Sequence, residues 1–353
     1  MIQHKKITII IVTYNARHYM PECLDSVFHS RYPQDLLQVI VIDNNSADST
    51  VGYIKEKYPQ VRLIVNKDNT GFAKANNQGF FLAQKSACDY AVLLNQDTIV
   101  EPNWLEHMVE VAESDKKIAI VQPKLLLHPE KHLINSFGNS IHYLGFAFCN
   151  HYREPDNKKN EIFELPYASG AACLLKMSAI EKMKDWDLFD ERLFMYHEDV
   201  DLGWRTRLAG FKVVLDPFAV VYHKYNFGKA KYKFYYMERN RHIVMLENYK
   251  WRTLLLLSPI LLVVELGMFV YALKNGWFKE KLAGDMWVLS RLGSILKRRN
   301  MVQRKLRKVT DKEIIRLYVG SIKFQDLQYF LITYVANPIM EIYLKLVQKI
   351  ISW

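Results

Sequence analysis

Cysteine is scarce. The 353 residues contain only Cys23, Cys88, Cys149 and Cys173, widely scattered. No two have the C-x-x-C spacing of a zinc or redox site, so no disulfide framework is implied and free thiols in a reducing compartment are expected. Phosphate-binding glycine signatures are missing as well. The absence of both G-x-G-x-x-G and the P-loop pattern leaves a dinucleotide fold and an NTPase unsupported. There is no internal repeat and no low-complexity tract. The apolar run in the opening MIQHKKITIIIVTYN is too short for a signal peptide or a membrane span and reads as a strand.

Half of the residues are hydrophobic and 24% are charged, as in ordinary globular proteins. The formal charge of +11 is unusual, and it is concentrated: from Lys274 to Lys323 there are 14 Lys or Arg against 4 Asp or Glu, a net of +10. Such a stretch attracts phosphate, from anionic lipid or nucleic acid.

Four apolar runs, Ile7–Val12, Gln38–Ile42, Val61–Val65 and Tyr90–Leu94, alternate with helical patterns over Arg17–His29, Asp48–Lys57 and Phe72–Lys85. This alternation predicts βαβ units around a parallel sheet buried on both faces. Polar clusters follow three of the strands, at Thr13–Asn15, Asp43–Ser46 and Asn95–Asp97, and the crevice at strand carboxyl ends is where such sheets bind ligands. From Glu101 to His223 the pattern is mixed. A capping box is expected at Asn103 and Glu106, a helix from Glu198 to Ala209 stopped by Gly210, and two short strands at Lys212–Leu215 and Ala219–Tyr222. Thr253–Leu273 carries one charge, Glu265, in 21 residues. It is long enough to cross a hydrocarbon core, but Pro259 would kink it and Glu265 is costly in lipid. A full span, a hairpin dipping into one leaflet and a helix packed on the domain all remain open.

Several residues carry chemistry. Asp43 at a strand end can accept hydrogen bonds from a nucleobase or ribose, or cap the following turn. Thr13, Tyr14 and Asn15 supply polar groups at the same place. Gly71, in a loop running from Asn69 into a helix that carries Asn77, would let the backbone turn sharply and present helix N–H groups to a ligand. Asp97, in Asn95-Gln96-Asp97, could hold a divalent cation that also binds a diphosphate. In FDERLFMYHEDVDLGWRTRLAG, Glu198, Asp199 and Asp201 crowd a helix start, and Asp201 and Arg205 can pair at i,i+4. That pairing does not explain Glu198 and Asp199 beside Met195 and Tyr196, where a carboxylate could serve as a general base. His223 ends a strand far from Asp97 in sequence.

Together VTYN, VIDNNSADST, NTGFAKANNQG, LLNQD, SGAACLLKMSAI, FDERLFMYHEDVDLGWR and AVVYH resemble the inverting glycosyltransferases of family 2, in the rhamnosyltransferase-like group, over residues 6 to 225. The resemblance implies an α/β fold of GT-A type, a mostly parallel Rossmann-like sheet flanked by helices. Residues 1–100 would form the nucleotide-sugar-binding half and 101–230 the acceptor-binding half, with 231–353 a helical, basic, membrane-associated region. It implies that Thr13, Asn15, Asp43 and Asn45 bind the nucleoside, and that Gly71, Asn77, Asn95 and Gln96 lie at the donor. It makes Asp97 and His223 the ligands of Mg²⁺ or Mn²⁺, and Asp199, next to Glu198, the catalytic base. The sequence departs from the family pattern at Asn95, which replaces the first Asp of D-x-D, and at Asp185-Trp186-Asp187-Leu188, where glycines are more usual.

The implied partners are a dTDP- or UDP-sugar, with dTDP-rhamnose preferred, and a lipid-linked or cell-surface saccharide acceptor at the cytoplasmic face of a membrane. A sugar-1-phosphate nucleotidyltransferase would need a Gly-rich basic loop after the first strand, and VTYNARHYM has no glycine. A non-catalytic binding protein would not need Asp97, Asp199 and His223 together. Nucleic acid is a poor partner for a basic tail that adjoins an apolar segment, and a single long apolar run does not make a transporter.

Overall fold

A computed structural model describes residues 5–183, 187–225, 230–323 and 330–353. Of the Asp185–Leu188 run, Asp185 and Trp186 lie outside the described residues.

The first half follows the periodicity of the sequence. Strands β1 (Ile7–Thr13), β2 (Leu37–Asp43), β3 (Arg62–Val65) and β4 (Tyr90–Asn95) alternate with helices α1 (Met20–Phe28), α2 (Thr50–Lys57) and α3 (Gly71–Lys85). All pair in parallel in the order β3-β2-β1-β4. Both faces of β1, β2 and β4 are buried, as the continuous Val/Ile/Leu runs require, whereas the edge strand β3 is partly exposed. Ile9 and Ile11 point into one apolar cluster, whereas Ile10 points into the other, and Val92 and Leu93 divide in the same way.

Helix α4 (Trp104–Ser114) leads into a longer half-sheet of β5 (Ile118–Leu127), β6 (Ala172–Lys176) and β7 (Lys212–His223), with helix α5 (Glu198–Leu208) before β7. β6 is antiparallel to both β4 and β5, and β7 is parallel to β5. Two reversals restore the original sense, so the carboxyl ends of β1, β2, β4 and β7 and the start of β6 share one edge of the molecule.

Two local expectations are corrected. The strands placed at Lys212–Leu215 and Ala219–Tyr222 are one strand, broken in register between Asp216 and Val220. Pro217 lies there, and proline, unable to donate to a ladder, is accommodated at such irregularities. Asn103 is the N-cap of α4 but its side chain makes no capping bond, and among the described residues its buried Oδ1 has no partner. Gly210 follows α5 at φ +84, a left-handed turn that favours glycine.

The C-terminal region is helical: α6 (Lys231–Asn248), α7 (Trp251–Lys274), α8 (Phe278–Ser290), α9 (Leu292–Met301) and α10 (Asn337–Ile350). It is not an appendage, because Leu257, Ile260, Val288, Leu344 and Val347 join the cluster that contains Leu93, Leu175 and Trp204.

Candidate active site

At the β1 and β2 ends, Thr13 and Asp43 are register partners and both are fully buried. Thr13 Oγ1 donates to Asp43 Oδ1 at 2.9 Å, Ser46 N donates to Oδ2 at 2.8 Å, and Ser46 Oγ to Oδ1 at 2.6 Å. Asp43 therefore caps its own turn, one of its two expected uses. The groups presented outward are Tyr14, Asn15 and Asn45. Both asparagines are left-handed, at φ 50 and φ 66, a conformation Asn tolerates far better than branched residues do. Gln96 joins this edge to β4 by accepting from Tyr14 N at 2.8 Å.

Gly71 opens α3 at φ +84, and a Cβ there would lie 2.5 Å from the Phe194 ring and 2.7 Å from its carbonyl oxygen. Only glycine fits, because the helix start is pressed on the segment that leads to α5. Asn77 clamps the same segment: its Nδ2 donates to Phe189 O and its Oδ1 accepts from Phe189 N, both at 2.9 Å. Both arms of that amide are committed to protein. Sequence reasoning missed the buried Asn44, whose Nδ2 donates to Gly71 O at 3.1 Å and whose Oδ1 accepts from Thr70 Oγ1 at 3.0 Å.

The fold joins Asp97 to His223. After Asn95-Gln96-Asp97, the strand Thr98–Val100 pairs antiparallel with β7 in a register that sets His223 opposite Thr98. Lys224 N donates to Asp97 O at 2.9 Å, and His223 Nε2 lies 3.3 Å from Asp97 Oδ1. The other ring nitrogen, Nδ1, is 3.0 Å from the carboxamide oxygen of Asn135, which can only accept. With Nδ1 as the donor to it, the neutral ring would turn its Nε2 lone pair toward Asp97, the form a metal ligand needs. An oxygen and an imidazole nitrogen this close, with Asp97 partly exposed, suit a small divalent cation.

Asp199 completes the edge. Asn95 N donates to Ala171 O at 2.8 Å, and the neighbouring Gly170 N donates to Asp199 Oδ2 at 3.1 Å. Val200 N donates to Asp199 Oδ1 at 2.8 Å. Burial pushes the Asp199 carboxyl up to about 6, against those two backbone donors. Burial and the adjacent Asp199 charge push the Glu198 carboxyl well above its usual range, and among the described residues its Oε2 has no hydrogen-bond partner. Burial and the Asp199 charge thus favour the protonated form of Glu198, whereas two backbone donors favour ionised Asp199. Asp201 takes the structural role: its carboxylate lies 2.7 Å from Arg205 Nε, both side chains being buried.

The approach to Asp199 is strained. Phe194, Tyr196 and His197 have φ of 62, 65 and 66. Asn240 of α6 holds this segment: its Nδ2 lies 2.8, 2.9 and 2.7 Å from the carbonyls of Leu193, Met195 and Tyr196. Arg239 Nη2 adds bonds to Arg192 O at 2.6 Å and Leu193 O at 3.0 Å. Neither residue was marked by sequence. Their only trace was the polar pair itself, set in an aromatic, basic helix. Surface cavities of about 370 and 320 Å³ occur elsewhere, and neither is lined by any of these groups.

A mixed sheet in the order β3-β2-β1-β4-β6-β5-β7 with its polar residues gathered on one edge is a GT-A architecture. Residues 8–183 match the model described as glycosyl transferase family 2. The chain is 25% identical over 216 residues to the poly-β-1,6-N-acetyl-D-glucosamine synthase of Staphylococcus aureus, covering 61% of this chain and 48% of that one. It spans about half the length of the curated relatives it matches. Among solved structures, GalNAc-T7 with UDP, GalNAc and Mn²⁺ superposes with a TM-score of 0.55 at 16% identity, over 70% of this chain and 48% of the other. S. aureus TarS 1–349 with UDP superposes with a TM-score of 0.51 at 14% identity, over 98% and 90%. At these identities the structural likeness concerns the fold.

Proposed function

We propose that the protein transfers a sugar from a nucleoside-diphosphate donor to a saccharide hydroxyl, with inversion at the anomeric carbon. The observation that carries this reading is the shared edge of Asp97, His223 and Asp199, which join a cation-suited pair to a carboxyl tuned to about 6. The nucleoside lies against Tyr14, Asn15 and Asn45, with Thr13 and Asp43 bracing their turns from beneath. Gly71, Asn77, Asn95 and Gln96 shape the donor side, Gly71 and Asn77 by fixing α3 against the segment before Asp199. Asp97 and His223 Nε2 would hold Mg²⁺ or Mn²⁺, which when bound neutralises charge on the departing diphosphate. Asp199, ionised, takes the proton of the acceptor hydroxyl as its oxygen attacks the anomeric carbon. Glu198, protonated, leaves Asp199 the only free carboxylate of the pair.

The resemblance to the rhamnosyltransferase-like group favours dTDP-rhamnose as donor, whereas the relative's name and the UDP-bound structures favour a UDP-N-acetylhexosamine. A saccharide on a lipid carrier or a growing cell-surface polysaccharide, reached from the cytoplasmic face, is the proposed acceptor. The test is nucleotide release by the full chain, with each donor in turn and saccharide acceptors supplied on membrane lipid. Release with one donor, lost in chelator and in Asp97→Ala and His223→Ala, is expected. Full activity in chelator, with both variants unimpaired, would refute the metal assignment.

A further inference from the structure

The apolar C-terminal helices bury one face each in the domain core and leave the other bare. On α7 the exposed stripe is Leu255, Leu262, Leu266, Val270 and Leu273, with Leu255 at 75% and Leu266 at 68% exposure. On α8 it is Phe278, Leu282, Met286 and Leu289, and along α10 it is Ile339, Ile342, Leu346 and Ile350. The spacings of three, four and seven put each set on one helical face. The helices are neighbours: Tyr343 Oη of α10 donates to Leu256 O of α7 at 2.6 Å, and the rings of Phe269 and Phe278 lie 6.0 Å apart. A contiguous apolar surface on this scale marks a binding face.

Charge identifies what binds there. Arg298, Arg299 and Arg307 are spent inside the fold: Arg298 pairs with Asp190 at 3.2 Å, Arg299 donates to Tyr249 O at 2.5 Å, and Arg307 pairs with Asp311 at 2.7 Å. Arg252, Lys274, Lys279, Arg291 and Lys297 stay exposed around the apolar stripes. A second copy would set this basic rim against another basic rim, whereas an anionic bilayer offers hydrocarbon and phosphate together.

The position of Glu265 decides the mode of contact. Its carboxylate lies 2.5 Å from Arg241 Nη2, 3.1 Å from His242 Nε2 and 2.6 Å from Lys281 Nζ. Glu238, His242 and Glu265 have the spacing of metal ligands, but the Arg241 and Lys281 cations already occupy the space between them. The cluster fastens the middle of α7 to α6 and α8. Its start is fastened as well, Thr253 Oγ1 donating to Asp311 Oδ2 at 2.5 Å, and Ala272 near its end is fully buried. A crossing helix would surrender these partners and leave Glu265 in hydrocarbon.

We propose that α7, α8 and α10 form a monotopic docking surface for an anionic bilayer, with α7 lying in the membrane plane and not crossing it. This does not depend on the proposed reaction. The test uses the full chain with sealed vesicles of phosphatidylcholine, with and without phosphatidylglycerol. Flotation with the anionic vesicles is expected, weakened by salt, and reduced at least ~10-fold in the Leu262→Glu/Leu266→Glu double variant. Both leucines are exposed, so an unchanged melting curve is expected and separates lost docking from lost folding. Orientation is read from Arg252→Cys and Lys274→Cys with an impermeant maleimide, in right-side-out and inside-out membrane vesicles of the expressing cells, over the wild-type background. Labelling of both from the same side is expected. Labelling from opposite sides would overturn the proposal in favour of a span. A wild-type chain that ignores both vesicle types and sediments as a dimer would overturn it in favour of a second copy.

Discussion

Asp199 has an oxygen on Gly170 N and another on Val200 N, and its carboxyl is raised by burial to about 6. A base must be ionised to act, so kcat/KM should rise with pH through about 6 and level off above it. Burial holds His197 down at about 4, so it is neutral across that window. Asp199→Asn should lower kcat by ~10²–10⁴-fold, abolish the acidic limb and leave donor affinity unchanged. The same substitution removes a buried charge. Because the folded-state pKa lies above the ordinary 3.8, ionisation costs stability as pH rises between those values. At pH 7 that relief is offset, because the new amide nitrogen would face one of the two backbone N–H donors of Gly170 and Val200, so denaturant melts of variant and wild type should differ little. Glu198→Gln should retain most activity, since burial and the Asp199 charge already favour the protonated form of Glu198. At the neighbouring pair, Asn135→Ala should weaken Mn²⁺ binding measured by calorimetry by ~10–100-fold, because the His223 ring loses its fixed tautomer. Unchanged Mn²⁺ affinity would count against His223 as a ligand.

The element that decides the geometry around Asp199 is the left-handed segment before α5, and it is held by α6. Asn240→Ala strips buried carbonyls of their donor and should cost ~1–3 kcal/mol in denaturant melts. It should lower kcat while sparing donor affinity, because the Asn240 amide bonds to the segment before Asp199 and not to Tyr14, Asn15 or Asn45. A loss confined to stability would make Asn240 purely structural. The same elements show what sequence could reveal. β1 to β4 and α1 to α3 were legible because continuous apolar strands alternate with helices, and that pattern leaves few topologies. The proximity of Asp97 and His223 was not legible from spacing. It is produced by Thr98–Val100, three residues that carry no periodicity of their own and pair with a strand more than a hundred residues away. Asn77 and Asp43 looked like ligand contacts because polar residues at strand ends and helix starts serve either ligand or chain. The hydrogen bonds show both tied to the chain first. Glu265 looked misplaced in an apolar helix because its partners, Arg241 and Lys281, lie on two other helices.

At the scale of the molecule, the C-terminal region completes the core that carries the site. Trp204 of α5 packs edge-on against Tyr249 and Tyr318, with ring centroids 4.6 and 5.1 Å away. Ending the chain after Lys250 would remove Tyr318 and uncover the apolar cluster beneath α7 to α10. Such a truncation is expected to yield an aggregated chain with no cooperative melting, and a soluble, active 1–250 fragment would contradict that. Sugar transfer therefore has to be measured on the full chain docked on anionic vesicles. The most direct measurement follows labelled sugar from the donor that passes the release screen into acceptor, for wild type and Asp199→Asn side by side, with donor binding measured calorimetrically on the same preparations. Transfer by the wild type alone, at equal donor affinity in the two proteins, is the expected result. Transfer by Asp199→Asn at near wild-type rate, or a wild-type chain that binds no nucleotide sugar, would contradict the account.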